Sequence, residues 1–317
     1  MKRQQGIALI TILMMVALAS IIAVTIAQRQ QNTNQNTGYL LGQHQALNYA
    51  KSAEALFSEL LVQDAKSGSK SDHLQESWAQ PMPAFPIDGG YVSGRIVDET
   101  GKFNLNTLVK DDGTPNPNAQ AYFQAVLKRL GLPDELVEAV IDWQDADDLV
   151  IGAMGAESAY YGSLPRPYQP SNHAFQSVEE LKQVRGFEGQ NFALIRPYIT
   201  AIPAKNSKIN INTAPTLLIA AISDQINLNT LENELKQKQQ GMEGFESVEQ
   251  LWQLQSLAQL TTDQKNLAQN NFDVKSMFYQ VDIEVLIADR KRQFRSHLYR
   301  LDQQVYVFSR SLAPLQF

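Results

Sequence analysis

The stretch IALITILMMVALASIIAVTIA, from Ile7 to Ala27, runs for 21 residues without a charged side chain. As an α-helix with a rise of about 1.5 Å per residue, it would reach roughly 30 Å, the thickness of the hydrocarbon core of a bilayer. Lys2 and Arg3 precede it, and basic residues favour the cytoplasmic side of a span. The sequence therefore predicts a single transmembrane helix, with a cytoplasmic N-terminus and all later residues across the membrane.

A short basic leader, residues 1–6, ends at Gly6 immediately before the apolar run. A secretory signal peptide would have a shorter apolar region, about 7–15 residues, ending in a small-x-small cleavage site. The leader instead resembles a type IV prepilin signal, which a prepilin peptidase cuts after the glycine. That resemblance implies cleavage between Gly6 and Ile7 and N-methylation of Ile7. A generic membrane anchor stays the alternative for this segment alone.

The fifth residue after the cleavage point is Thr11, where most pilins carry a glutamate that is thought to neutralise the terminal amine of a neighbouring subunit. A carboxylate without such a partner is costly in lipid. The absence of the glutamate therefore suits a subunit with no predecessor above it.

Beyond the membrane segment, the pattern predicts a long helix, a sheet and an inserted domain. Apolar residues recur at helical spacing from Tyr39 to Val62, which favours a continuation of the membrane helix. Residues alternate between apolar and polar in four segments, which indicates strands. These segments are 91–97, 279–287, 294–300 and 305–308. Because strands flank a helical middle region, residues 107–272, that region is predicted to be an insertion into a helix-plus-sheet domain.

The middle region contains an internal repeat of two motifs. Asn104-Leu105-Asn106-Thr107 is echoed by Asn210-Ile211-Asn212-Thr213, and the segment FQSVEEL at 175–181 is echoed by FESVEQL at 245–251. The motifs occur in the same order each time, which indicates two related helical units. Asn, Thr and Ser-x-x-Glu are helix-capping signals, so capping is the favoured role of these residues over a catalytic one.

Composition excludes several classes of protein. A chain of 317 residues with 44% apolar residues has room for about two globular domains. It contains no cysteine, so disulfides, thiolate metal sites and a cysteine nucleophile are excluded. The net charge of −6 argues against a polyanion-binding protein as a whole. The four histidines are scattered and no hydrolase motif is present, so the chain is predicted not to be an enzyme.

The negative charge is concentrated in one segment. Residues 130–165 carry eight carboxylates and no Lys or Arg, so this segment contributes −8 and the remainder of the chain +2. Clustered carboxylates repel one another unless they are protonated, solvated or bridged by a cation. Oxygen ligands without cysteine favour Ca²⁺ or Mg²⁺, and an extracytoplasmic location favours Ca²⁺. The candidate ligands are Asp142, Asp145, Asp147, Asp148, Glu157 and Asn172. A solvated acidic loop without metal is the alternative.

Six features together resemble the minor pseudopilins of type II secretion systems known as general secretion pathway protein K. They are the leader ending at Gly6, Thr11, FNLN at 103–106, DWQDADD at 142–148, GAE at 155–157 with YY at 160–161, and ININTAP at 209–215. The resemblance covers nearly the whole chain, in order. It implies an α+β fold: a type IV pilin-like helix on an antiparallel sheet, with a large inserted all-α domain that is SAM-like or helix-hairpin-helix-like.

The resemblance also implies domain boundaries and partners. Residues 1–6 are expected to be the leader, 7–27 the transmembrane helix, 28–106 the pseudopilin helix and first strands, 107–272 the inserted domain, and 273–317 the last strands. Members form a tip complex with the I- and J-type minor pseudopilins, which primes the pseudopilus, contact other pseudopilins of the filament, and bind calcium in the helical domain. The expected location is the inner membrane, with the bulk in the periplasm. Two Ca²⁺ ions, together with ordinary solvent screening, would bring the acidic segment close to charge balance.

A membrane-anchored DNA-uptake protein is the alternative function, because Asn-x-Asn-Thr-Ala followed by helices also resembles helix-hairpin-helix domains. Such hairpins place the amides of a Gly-x-Gly turn on phosphate, with basic residues nearby. The comparable turn here is Gly186-Phe187-Glu188. Since a carboxylate at the third position would repel phosphate, nucleic acid is not expected as a partner.

Overall fold

A computed structural model describes residues 5–241 and 244–312. Residues 1–4 of the predicted leader lie outside the described residues. The helices are α1 (Gln5–Ser67), α2 (Pro117–Arg129), α3 (Leu136–Asp142), α4 (Ser158–Gly162), α5 (Gln190–Ile195), α6 (Thr216–Ala220), α7 (Leu228–Gln240) and α8 (Thr262–Asn271). The strands are β1 (Phe85–Ile87), β2 (Gly90–Asp98), β3 (Phe103–Asn104), β4 (Ile199–Thr200), β5 (Ile209–Asn210), β6 (Phe272–Asp273), β7 (Phe278–Ile287), β8 (Arg290–Leu301) and β9 (Gln304–Leu312).

Helix α1 is one continuous element of 63 residues. Its first part is long and apolar enough to cross a membrane, and the side chains of residues 8–26 are exposed. Further along, one stripe of the helix is buried: Ala46, Ala50, Phe57 and Leu61. The helix ends where Gly68 adopts a φ of 75°, a conformation that glycine accepts without a Cβ clash. The prediction of one helix that continues from the apolar segment into the folded part is confirmed.

The buried stripe of α1 packs on a five-stranded sheet of order β1-β2-β7-β8-β9. All four pairings are antiparallel. Val281, Ile283 and Val285 of β7 are buried in this core, and the residues between them face the other side of the sheet because side chains alternate along a strand. Strands β2 and β7 are neighbours in this sheet but are separated in sequence by residues 99–277. The chain between them is therefore an insertion into the helix-plus-sheet domain, as predicted.

The inserted helical domain has a core of its own. It is built from α2 to α8 with short 3₁₀ segments, and its buried residues form one cluster. Phe103 and Leu105 belong to this cluster, and β3 pairs with β4 rather than with the large sheet. The side chains of Phe103 and Leu105, which lie between the sheet and the helices, therefore pack with the helical domain. The domain boundary predicted at residue 106 stays a prediction.

The two repeated motifs bind each other within each unit. In the first unit, the Asn106 amide accepts a hydrogen bond from Phe175 N (2.7 Å) and donates one to Phe175 O (2.9 Å). In the second, Asn212 makes the same pair with Phe245 (2.7 and 3.0 Å). Capping is also present, since Ser177 forms a capping box. The second asparagine of each motif thus closes its unit by satisfying a buried backbone segment.

A polar network joins the inserted domain to the sheet. Asn210 donates to Asp72 O (2.9 Å) and to Ser276 Oγ (2.7 Å). Thr213 and Ser276 both donate to Asp98 Oδ2, each at 2.5 Å. The predominant effect of burial raises the pKa of Asp98 to about 6, although these hydrogen bonds oppose it. Because the network contains residues of the inserted domain and of the sheet domain, it ties the insert to the end of β2 and the start of β7.

Candidate metal centre

The acidic segment contains α3, α4 and the loop between them, residues 143–157, which is called the acidic loop below. Asp142 is the last residue of α3, and a further turn follows it, because Asp145 N donates to Ile141 O (3.0 Å). Glu157 lies at the N-cap of α4. The loop therefore leaves the end of one helix and returns at the start of the next, which brings residues 12–15 positions apart in sequence to one place.

Three of the six predicted ligands meet at this place. One carboxylate oxygen from each of Asp142, Asp145 and Glu157 lies within 4.8 Å of the others. All three side chains are buried, with exposed fractions of 0%, 6% and 1%. Buried carboxylates of this kind are rare unless they are paired or bind a metal.

The hydrogen-bond partners of this cluster are incomplete. Asp142 accepts from Ile151 N at 3.2 and 3.3 Å. Within the part of the chain that the structure describes, Asp145 Oδ1 and both oxygens of Glu157 are buried without any hydrogen-bond partner. Hard oxygen atoms that lack donors are suitable ligands for a hard divalent cation. The donor set therefore fits Ca²⁺ or Mg²⁺.

The electrostatics of the cluster also favour a cation. Burial raises the pKa of Asp142 to about 6, of Asp145 to about 7 and of Glu157 to about 8, and the neighbouring carboxylates act in the same direction. Like charges confined in a dry site disfavour ionisation. A divalent cation would reverse this effect by compensating two negative charges.

The other three predicted ligands lie on the rim. Asp147, Asp148 and Asn172 are exposed. Asp147 Oδ1 accepts from Leu149 N (2.8 Å), and Asp148 Oδ1 accepts from Ser158 N (3.1 Å). Asn172 donates its backbone N–H to Trp143 O (3.0 Å). The first two therefore shape the loop, and a direct role of any of the three in metal binding stays a prediction.

Two residues that support the loop were not among the predicted site residues. Glu138 lies one turn before Asp142 and accepts from Met154 N (2.7 Å). Gly155 leaves no space for a side chain, because a Cβ there would lie 2.4 Å from Asp142 Oδ2. The i, i+4 spacing of Glu138 and Asp142 could have indicated the first, whereas the second was noted only as part of the GAE motif at 155–157.

A cluster of aromatic side chains packs beside the three buried carboxylates. The ring of Trp143 contacts Tyr161 edge-to-face at 5.3 Å between centroids, and Tyr161 packs on Tyr168 at 5.2 Å. Arg185 donates to Gly155 O (2.9 Å) and stacks on Tyr160. These contacts hold both ends of the acidic loop against the domain core. Trp143 is therefore a buried core residue.

The family described as type II secretion system (T2SS), protein K, matches residues 101–204 and 209–275. The type II secretion system protein K of Pectobacterium carotovorum subsp. carotovorum is 33% identical over 98% of this chain and 96% of its own. The protein K of Pseudomonas aeruginosa is 32% identical over 98% and 93%. The protein K of Aeromonas hydrophila is 36% identical over 75% and 77%.

The chain belongs to the type II secretion system protein K family. The resemblance seen in the sequence motifs is thus confirmed. A solved structure, the GspK–GspI–GspJ complex from enterotoxigenic Escherichia coli, contains a chain that matches with a TM-score of 0.78 and 24% identity, over 88% of this chain and 99% of that one. The protein K fold, with its helix, antiparallel sheet and inserted helical domain, is therefore the fold of this chain.

In the turn that resembles a DNA-binding hairpin, a carboxylate of the chain itself accepts the hydrogen bond of a backbone amide. Gly186 has a φ of 84°, and its N–H donates to the carboxylate of Glu188 (3.0 Å). In a hairpin that binds DNA, such an amide would be available for phosphate. In this member of the protein K family, an internal carboxylate takes that position.

Proposed function

We propose that this chain is a minor pseudopilin at the membrane-distal tip of the type II secretion pseudopilus, where it assembles with I- and J-type minor pseudopilins and primes filament assembly. The observation that carries the proposal is the position of the inserted domain in a chain of the protein K family. The complex of a family relative with GspI and GspJ supports the choice of partners.

The direction of the sheet relative to α1 supports the tip position. The turn between β7 and β8 lies toward the membrane segment, since Arg290 and Arg292 contact the ring of Tyr39 at 5.2 and 5.7 Å. The inserted domain joins the opposite end of β7, near Ser276. A bulky domain at this end would obstruct a subunit stacked above it, and Thr11 in place of the usual glutamate agrees with a subunit that has none.

The exposed part of α1 is proposed to contact the partner pseudopilins. Tyr39, Leu40 and Leu41 are exposed, with Leu41 at 65%, and the other side chains of residues 28–41 are exposed as well. A helix that leaves apolar side chains unpaired is suited to pack against other helices. Other pseudopilins of the filament would use the same surface.

Membrane insertion and processing complete the proposal. We infer a single pass through the inner membrane, with the N-terminus in the cytoplasm and the folded part in the periplasm. Prepilin peptidase would cleave after Gly6, and Ile7 would then be methylated. A structural role, rather than catalysis, agrees with the names of the relatives.

We also propose that Asp142, Asp145 and Glu157 bind Ca²⁺. The orphaned buried oxygens of Asp145 and Glu157 support this assignment. A bound cation would link the end of α3 to the start of α4 and order the loop between them. Because these three side chains form one cluster, they account for one ion, and a second ion would need the rim residues. Isothermal titration of the full chain with Ca²⁺ tests the proposal, and absence of heat would contradict it.

The tip-complex proposal can be tested by co-purification. The full chain, co-expressed with I- and J-type pseudopilins and solubilised in detergent, is expected to purify with both. Leu41→Asp is expected to reduce this association, because it places a charge on the exposed stripe of α1. Leu194→Asp is a matched control, since Leu194 is also exposed (41%) but lies in the inserted domain. Absence of association of the unmodified chain with either partner would refute the proposal.

A further inference from the structure

A cleft separates the inserted domain from the sheet face that points away from α1. Its volume is about 310 Å³. Arg95, Asp282 and Arg295 from three adjacent strands form its floor, and Glu179 and Arg196 of the inserted domain lie on the opposite wall. The cleft is separate from the acidic loop, and neither the metal centre nor the exposed stripe of α1 uses it.

Cations outnumber carboxylates on the floor. Asp282 lies directly between Arg95 and Arg295 in the strand register. Its Oδ1 accepts from Arg295 Nε (2.9 Å) and from Gln280 (2.9 Å), and Arg95 Nη2 lies 3.5 Å from Oδ2. Two guanidinium groups therefore share one buried carboxylate, and one positive charge is left over.

On the wall, Glu179 pairs with Arg196 (Nε to Oε1, 3.3 Å) and with Lys182, which lies outside the lining of the cleft. At the inner end, Lys102 and Glu99 balance each other at 2.7 Å. The lining of the cleft thus carries four cationic side chains and three carboxylates, in a chain whose net charge is −6.

The three arginines of the cleft use few of their N–H donors in hydrogen bonds within the described chain. Among the described residues, the hydrogen bonds of Arg295 and Arg196 use only Nε, and Arg95 makes only its long ion pair. A guanidinium has five N–H donors, and its planar fork matches the two oxygens of a carboxylate. Three guanidinium groups around one cleft are therefore suited to bind carboxylates.

We propose that this cleft binds an acidic peptide segment of a partner protein through the carboxylates of that segment. The volume is at the lower end of the range of ligand pockets, about 300–1,000 Å³, which suits a few side chains and not a nucleic-acid duplex. The three carboxylates that line the cleft also disfavour a continuous polyanion, whose binding depends on a surplus of cations.

Fluorescence anisotropy with a defined peptide tests this assignment. The full chain in detergent micelles is titrated into fluorescein-labelled Gly-Asp-Glu-Asp-Gly-amide and, separately, into the uncharged Gly-Asn-Gln-Asn-Gly-amide. We expect saturable binding of the acidic peptide alone. Arg95→Gln and Arg196→Gln are each expected to weaken it about tenfold, the effect of losing one charge-assisted hydrogen-bonded contact. Both side chains are partly exposed (64% and 43%), so the variants should fold.

Arg166→Gln is the matched control, because Arg166 is exposed in the same domain and does not line the cleft. Undiminished binding in this variant supports the proposal. Absence of saturable binding, equal binding of the amide peptide, or equal losses in all three variants would overturn it. Stronger binding of a single-stranded oligonucleotide than of the acidic peptide would also overturn the assignment to a peptide.

Discussion

Replacing Glu157 by glutamine should abolish a calcium-dependent gain in stability without harming the metal-free protein. The amide has the shape of the carboxyl group but cannot ionise. Without metal, burial and the neighbouring carboxylates already raise the pKa of Glu157 to about 8 and disfavour its charged form, so the thermal midpoint of Glu157→Gln should be unchanged or slightly higher. With metal, the variant lacks a ligand whose two oxygens have no other partner in the described structure.

The expected size of the calcium-dependent stabilisation follows from the coupling between Ca²⁺ binding and folding. At a free Ca²⁺ concentration about 100 times the dissociation constant, binding to the folded state alone stabilises it by about 2.7 kcal/mol. For a domain of this size, such a gain raises the thermal midpoint by roughly 5–10 °C. If loss of the Glu157 carboxylate weakens binding about 100-fold, the gain at the same concentration falls to about 0.4 kcal/mol, a shift near 1 °C.

Differential scanning calorimetry of the full chain in detergent, with EGTA or with Ca²⁺, measures both effects. Asp224→Asn is the control, because Asp224 is an exposed carboxylate outside the acidic loop, and its calcium response should equal that of the unmodified chain. The calcium response of Asp147→Asn then shows whether the exposed residue Asp147 contributes to Ca²⁺ binding in addition to the three buried carboxylates. A midpoint of the unmodified chain that does not respond to Ca²⁺, or a full response in Glu157→Gln, would refute the assignment of the ligands.

Three further predictions concern stability. Burial opposes ionisation of Glu54, but hydrogen bonds from Arg310 and Ser296 outweigh this effect and lower the pKa of Glu54 below 4.5. The ion pair between Glu54 and Arg310 therefore stabilises the fold above pH about 4.5, and this stabilisation is lost as the pH falls through the lowered pKa. The urea midpoints of the unmodified chain and of Glu54→Gln should therefore converge on acidification from pH 7 to 3. Asn212→Ala leaves two buried backbone groups of Phe245 unpaired and should cost about 2–4 kcal/mol in urea unfolding. Gly155→Ala places a Cβ 2.3 Å from a backbone oxygen and should cost about 1–3 kcal/mol and weaken Ca²⁺ binding in calorimetric titration.

The parts of the fold that depend on local patterns were predictable from the sequence. A continuous apolar run followed by helical periodicity indicated α1, and alternation indicated β7 to β9, because burial on one face imposes these periods directly. The acidic loop was recognised in the same way, from charge density. These signals depend only on residues that are neighbours in the chain.

The parts that depend on distant contacts were not predictable. The burial of Glu157 beside Asp142, and the exposure of Asp147 and Asp148, depend on how the loop folds back to α4. The network that contains Asp98 and Thr213 joins residues 115 positions apart, and neither residue type signals a partner on its own. Charge density therefore located the candidate site but could not divide its carboxylates into centre and rim.

The repeat explains how one motif came to serve two purposes. In both units the second asparagine, Asn106 or Asn212, closes its own unit by the same pair of backbone hydrogen bonds. The first asparagines differ: Asn104 donates to carbonyl groups of the inserted domain, including Ala204 O (2.6 Å), whereas Asn210 donates to Asp72 O and Ser276 Oγ at the end of the sheet. The hydrogen bonds that the two units share thus maintain each helical unit, and the bonds of Asn210 attach the second unit to the sheet domain. A domain attached through such a buried network is held in one orientation relative to α1, which a subunit at the end of a filament requires if its outer surfaces are to meet partners in a defined direction.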